Sequence, residues 1–128
     1  MVEITREPIS PQAVVNRVRT AESGCVVTYI GLIRQHSRGK RVSSVEYRDS
    51  DGAAARRLEG MVAQAAKRWP VEGIALAHRV GKLKVGEINL VIAVAAAHRQ
   101  EGFAATQYLV DAFKEQMPTS KTETYQDD

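Results

Sequence analysis

The chain has 128 residues, 44% hydrophobic and 26% charged, which is the size and apolar content of one globular domain over residues 1–128 with a real core and no room for two. Eighteen Lys and Arg against 15 Asp and Glu leave a net charge of +3, too mild for a general nucleic-acid coat protein, so positive charge matters only where it is clustered. A single cysteine, Cys25, excludes an internal disulfide; with no apolar signal core at the N-terminus and no run near the ~20 residues of a membrane helix, a cytoplasmic location away from membranes is expected.

Ser10-Pro11 reads as a helix cap followed by a first-turn proline, with Val14, Val15 and Val18 as an apolar stripe, so a first helix is expected near residues 11–19. Residues 25–33 are rich in β-branched side chains and read as a central strand, with Gly31 marking a bulge or a close backbone approach. After the turn at Ser37-Arg38-Gly39-Lys40, residues 41–47 alternate as a second, more exposed strand, and the two are expected to form a hairpin with a mobile basic tip.

Asp49-Ser50-Asp51-Gly52 supplies cap and turn residues for a long helix whose apolar face is Ala54, Leu58, Met61, Val62, Ala65 and Trp69, ended by Pro70. Ile74, Leu76, His78 and Val80 then alternate with smaller or charged residues as a strand, and Gly81 and Gly86 flank a short connection. Residues 88–97 form a buried strand broken only by Asn89, and a last helix with Ala105, Tyr108, Leu109, Ala112 and Phe113 on its apolar face must stop near Met117, before Pro118. The expected order is α-β-β-α-β-β-α, without repeats or linkers.

The chemistry sits at the ends of these elements. Arg34-Gln35-His36 follows one apolar strand, His98-Arg99 follows another, and Lys114 and Lys121 bracket Pro118. Side chains at element ends can converge while the apolar interiors stay in the core, and converging Arg, Lys and His make a pocket for an anion. Each has a plainer reading beside it: a structural ion pair for Arg34, a cap for His98-Arg99 at the start of a helix, a solvated residue for Lys114 and a tail residue for Lys121. Arg38, Lys40 and Arg41 read as a solvated tip, His78-Arg79 as sheet packing with surface charge, and Cys25 as an inert core thiol. There is no P-loop, no dinucleotide-type glycine triplet and no Gly-x-Ser-x-Gly elbow, and His36, His78 and His98 lack zinc-type spacing to one another or to Cys25.

The run from Gly24 through Arg34 and His36, then His78-Arg79-Val80-Gly81, Gly86-Glu87, Ala97-His98-Arg99, and Tyr108 through Lys114 and Pro118 to Lys121 carry more together than any one motif alone. Taken together, these segments resemble the MoaE family, the large subunit of molybdopterin synthase. They match in order over nearly the whole chain. The resemblance implies an α+β domain of the α/β-hammerhead type, with a mixed or antiparallel sheet and about three helices. It implies a homodimer of large subunits within a heterotetramer, each holding a small ubiquitin-like, MoaD-like sulfur carrier whose Gly-Gly tail ends in a thiocarboxylate. The implied reaction is the transfer of two sulfurs to cyclic pyranopterin monophosphate to form the molybdopterin dithiolene, a step in molybdenum cofactor biosynthesis that needs neither a metal nor another cofactor.

By the same resemblance Lys114 is the leading catalytic residue and Lys121 the second, with Lys114 serving as nucleophile or as proton carrier. Arg34, His98 and Arg99, together with Lys114, Lys121, Thr122 and Glu123, are the expected substrate-binding set, and His36 is a possible addition. The sequence departs from the family after Pro118, where an apolar residue, Trp, Lys, a second basic residue and Glu are usual. Thr119-Ser120-Lys121-Thr122-Glu123 stands there instead, and the chain stops short of the longer tail of some members. A non-catalytic paralogue that keeps the carrier interface is the alternative reading. An RNA-binding module is disfavoured by only 5% aromatic residues.

Overall fold

The computed structural model describes residues 1–126 and contains eight strands and three helices among them. In chain order they are β1 (Val2–Thr5), α1 (Pro11–Asn16), β2 (Cys25–Leu32), β3 (His36–Ser37), β4 (Lys40–Arg48), α2 (Ala54–Arg68), β5 (Gly73–Arg79), β6 (Gly81–Lys84), β7 (Ile88–Ala96), α3 (Arg99–Gln116) and β8 (Ser120–Tyr125). None of the described helices is long and apolar enough to cross a membrane.

The first sheet has the order β1-β5-β7-β2, with β1 and β5 parallel and the other neighbours antiparallel. Its inner strands are buried on both faces, and the alternation along them sorts side chains by size. Leu76, Leu90, Ile92 and Val94 pack with Leu58, Met61, Leu109 and Phe113 of α2 and α3. Ala75, Ala77, Ala93 and Ala95 point the other way, where small side chains let α1 bring Val14 against the sheet. Ser10 caps α1 by accepting from the Ala13 N–H, as its position before Pro11 predicts.

The second sheet is built on β4, which pairs with β3, β6 and β8. Val42, Val45, Tyr47 and Leu83 form its core. The expected hairpin of β2 with β4 is not present: β2 pairs with β7, and the basic turn instead joins β4 to the two-residue β3. Nor is β2 central. It is an edge strand, with Ile30 44% and Leu32 56% exposed, because the apolar partner it needs on one side, β7, comes from far along the chain. The stretch after Gly81 is the strand β6 rather than a connection, and β1 and β8 are additional strands.

Two glycines are required by close packing. A Cβ on Gly24 would lie 2.0 Å from the Ala97 carbonyl oxygen, and one on Gly31 would lie 2.8 Å from Asn89 Oδ1. Gly31 also stands at a register shift between β2 and β7, so both expectations for it hold. Gly24→Ala should displace the backbone where β7 leads into α3 and destabilise the fold by about 1–3 kcal/mol. An unchanged urea midpoint would contradict the tight approach.

Candidate functional site

The β2 end, the α3 end and β8 meet over one cavity of about 440 Å³, lined by Arg34, Tyr47, Asn89, Lys114, Lys121 and Glu123 among others. Each cation arrives for a local reason. Arg34 follows Ile33, whose side chain is buried in the second core while its backbone still pairs with Gly86 and Glu87, so the next residue emerges into solvent. Lys114 follows the buried Phe113 on α3. Lys121 lies opposite Tyr47 in the β4–β8 ladder and so shares its face.

Glu123 is the carboxylate of this group. Its Oε1 accepts from Ser37 Oγ and Tyr125 Oη at 3.1 and 2.7 Å, and its Oε2 lies 3.8 Å from Lys121 Nζ. The Tyr125 hydrogen bond, more than any other contact, holds its pKa below the ordinary carboxylate value. Its Oε1 is thus engaged by two hydroxyls while Oε2 faces the Lys121 ammonium.

Tyr47, Asn89 and Phe113 form the cavity floor, and His78 packs behind them without lining it. His78 is fully buried between Tyr47 and Phe113, with edge-on ring contacts at 5.1 and 4.9 Å. Its Nδ1 is 2.9 Å from the Asn89 carbonyl oxygen and its Nε2 is 2.9 Å from Thr119 Oγ1. Asn89 Nδ2 in turn donates to Tyr47 Oη at 3.1 Å. A second compartment of about 220 Å³, sharing Tyr47, Asn89, Phe113 and both lysines, extends toward Met117, Pro118 and Thr119. The one sequence signal for this floor was Asn89, a polar break in an otherwise apolar strand.

The remaining expected residues are distributed differently. His98 and Arg99 line a separate depression of about 390 Å³ with Gly24, Cys25, Ala97 and Gln100, at the opposite end of β2 from Arg34. His98 is the N-cap of α3, but its side chain makes no capping hydrogen bond, so the plain cap reading fails. Thr122 pairs with Glu46 and Ser120 with Arg48, which puts both on the face of β8 turned away from Lys121, and neither lines the cavity. His36 is exposed on β3 and is absent from the lining as well.

Residues 4–116 match the MoaE protein family. The chain belongs to this family. A molybdopterin synthase catalytic subunit from Bacillus subtilis (strain 168) is 33% identical over 125 residues, covering 98% of this chain and 80% of the relative. Among solved structures, the molybdopterin synthase from Staphylococcus aureus superposes with a TM-score of 0.90 at 28% identity, covering 98% of this chain and 92% of that one. A Helicobacter pylori structure, described as a complex of subunits 1 and 2 of molybdopterin-converting factor, shares the fold at a TM-score of 0.78 and 12% identity, covering 99% and 86%. The α+β class expected from the resemblance is the one observed. The reading as a sulfurtransferase catalytic subunit of molybdenum cofactor biosynthesis stands over that of a non-catalytic paralogue.

Burial, the largest influence on His78, pushes its pKa below the ordinary 6.5. The unfolded chain therefore takes up this proton as pH falls through 6.5 while the folded chain does not. The stability linked to His78 is complete above that pH and is lost as pH drops toward the folded value. Between pH 7 and 5 the urea midpoint of the wild type should fall more steeply than that of His78→Gln; equal slopes would refute a buried neutral imidazole.

Proposed function

We propose that the Arg34, Lys114 and Lys121 cavity is where sulfur passes from a thiocarboxylated carrier tail to cyclic pyranopterin monophosphate. The observation that carries this reading is the convergence of three cations from β2, α3 and β8 on one concave site of about 440 Å³. Both reactants are anions, one a cyclic phosphate and the other a thiocarboxylate, so each gains charge-assisted hydrogen bonds there. As a nucleophile adds to the acyl carbon, negative charge develops on the acyl oxygen, and it passes to the departing sulfur when the acyl–sulfur bond breaks; fixed cations in a partly enclosed site stabilise both charges without reorganising. Arg34 serves the phosphate, Lys114 is the reacting lysine as nucleophile or proton carrier, and Lys121, held by Glu123, completes the anion site. Glu123 acts on substrate through Lys121, and Thr122 and His36 have no direct part in this arrangement.

His98 and Arg99 belong to the same reaction through a second copy of the chain. They are separated from Arg34 by the length of β2, roughly 30 Å of strand. The exposed edge of β2, with Ile30 and Leu32, is a surface that needs covering. A two-fold axis near the middle of β2 would set the two strands antiparallel and place His98 and Arg99 of one copy beside Arg34 of the other. The homodimer is thus part of the proposed site, and the small ubiquitin-like carrier delivers its tail to the open side of each cavity.

Lys114→Ala should abolish dithiolene formation with fold and carrier binding intact, and Lys114→Arg should fail too, because a guanidinium keeps the charge but does not release its proton. Near wild-type turnover of Lys114→Ala at saturating substrate would remove the lysine from its role. Arg34→Ala should weaken precursor binding at least tenfold by calorimetry, the loss of one contact worth about 1.5–3 kcal/mol. Mixing inactive Arg99→Ala and Lys114→Ala chains should restore roughly a quarter of wild-type activity, since each mixed dimer of two-fold symmetry would hold one intact site. No recovery after verified subunit exchange would reject the shared site.

A further inference from the structure

We propose that His78 is a positioning residue for sulfur transfer: through Thr119 and Phe113 it fixes the joint between α3 and β8, and so the relative placement of Lys114 and Lys121. This rests on the function proposed above and extends it to a residue beneath the cavity.

The hydrogen-bond pattern defines the imidazole. The Asn89 carbonyl oxygen can only accept, so Nδ1 carries the proton and Nε2 presents a lone pair; the Thr119 hydroxyl therefore donates to Nε2. Burial favours the neutral ring that this arrangement requires. Both ring nitrogens are thus satisfied inside the protein, and the ring orientation is set.

The joint it holds is short and constrained. Lys114 is in the last turn of α3, Met117 ends the helix in the left-handed region at φ 49°, and Lys121 is the second residue of β8. A non-glycine residue in that region persists where its surroundings over-determine it. Here two side chains grip the two residues after Met117: Arg57 Nη1 donates to the Pro118 carbonyl oxygen at 3.3 Å, and Thr119 is tied to His78. The His78 ring also meets Phe113, the neighbour of Lys114, and Tyr47, the ladder partner of Lys121. One buried ring touches the immediate surroundings of both lysines.

Reacting groups displaced by about 1 Å can lose on the order of a hundredfold in rate. Thr119→Val removes the hydroxyl while keeping the side-chain volume, and Thr119→Ser keeps the hydroxyl. With the thiocarboxylated carrier, Thr119→Val should lower kcat at least tenfold while the Kd for the precursor stays within about threefold, and Thr119→Ser should recover most of the rate. Wild-type kcat in Thr119→Val, or a Thr119→Ser variant as impaired as Thr119→Val, would overturn the proposal. Nitrogen-15 NMR of the imidazole at pH 7 supplies a readout independent of activity. The wild type should show the Nδ1–H tautomer, with the Nε2 resonance shifted in Thr119→Val; an Nε2–H tautomer or an imidazolium would overturn it as well. If the wild type showed that tautomer but transferred no sulfur, the function reading would fail and the positioning role of His78 with it.

Discussion

Burial of the β5–β7 ladder on both faces is the constraint on which the rest of the structure depends. Helices α2 and α3 cover one side and α1 the other, so the ladder has no wet face on which to place a polar side chain. His78 on β5 and Asn89 on β7, the residue before His78's ladder partner Leu90, are the exceptions, and burial obliges each to find a partner. The partners available are Tyr47 on the second sheet and Thr119 on the approach to β8. Satisfying two buried polar residues therefore joins the first sheet to the second at the place where the cavity opens.

Above that junction the charge balance is uneven. Arg34, Lys114 and Lys121 share the cavity with one carboxylate, Glu123, whose Oε1 also accepts from Ser37 and Tyr125. Cations gathered around a concave surface repel one another more strongly than in open water, because part of the surrounding volume is protein. An entering anion relieves this repulsion and is attracted over a distance of about a Debye length, roughly 8–10 Å at physiological salt. The modest overall charge of +3 does not describe this local field.

The periodicity of α2, α3, β5 and β7 is legible in sequence because each carries a regular apolar pattern that burial requires. β2 reads as central because its β-branched run reports hydrophobicity and not neighbours, and Ile30 and Leu32 prove to be exposed on an edge. β8, Ser-Lys-Thr-Glu-Thr-Tyr, has no apolar alternation to mark it, and it is a strand through its ladder with β4. The cations at element ends were found because charge interrupts pattern there, yet the separation of His98-Arg99 from Lys114 depends on how β2 runs beside β7, which no local signal encodes. Tyr47, Phe113 and His78 carry no functional mark in the sequence because residues of these types usually fill cores; here Tyr47 and Phe113 also line the cavity, and His78 packs between them without reaching it. Thr119 has its hydroxyl partner in the buried His78, which no local pattern announces.

β8 has a consequence for how the site fails under stress. Lys121 and Glu123 belong to a six-residue strand that is mostly exposed and whose ladder runs along β4 alone among the described residues. Such a segment detaches in a local opening that needs far less free energy than global unfolding. Each opening removes one cation and the carboxylate beside it while the first sheet and its helices stay folded. The population of complete cavities is then governed by a fraying equilibrium of one strand, so that under the proposed function catalytic capacity would decline on warming ahead of the cooperative melting of the domain.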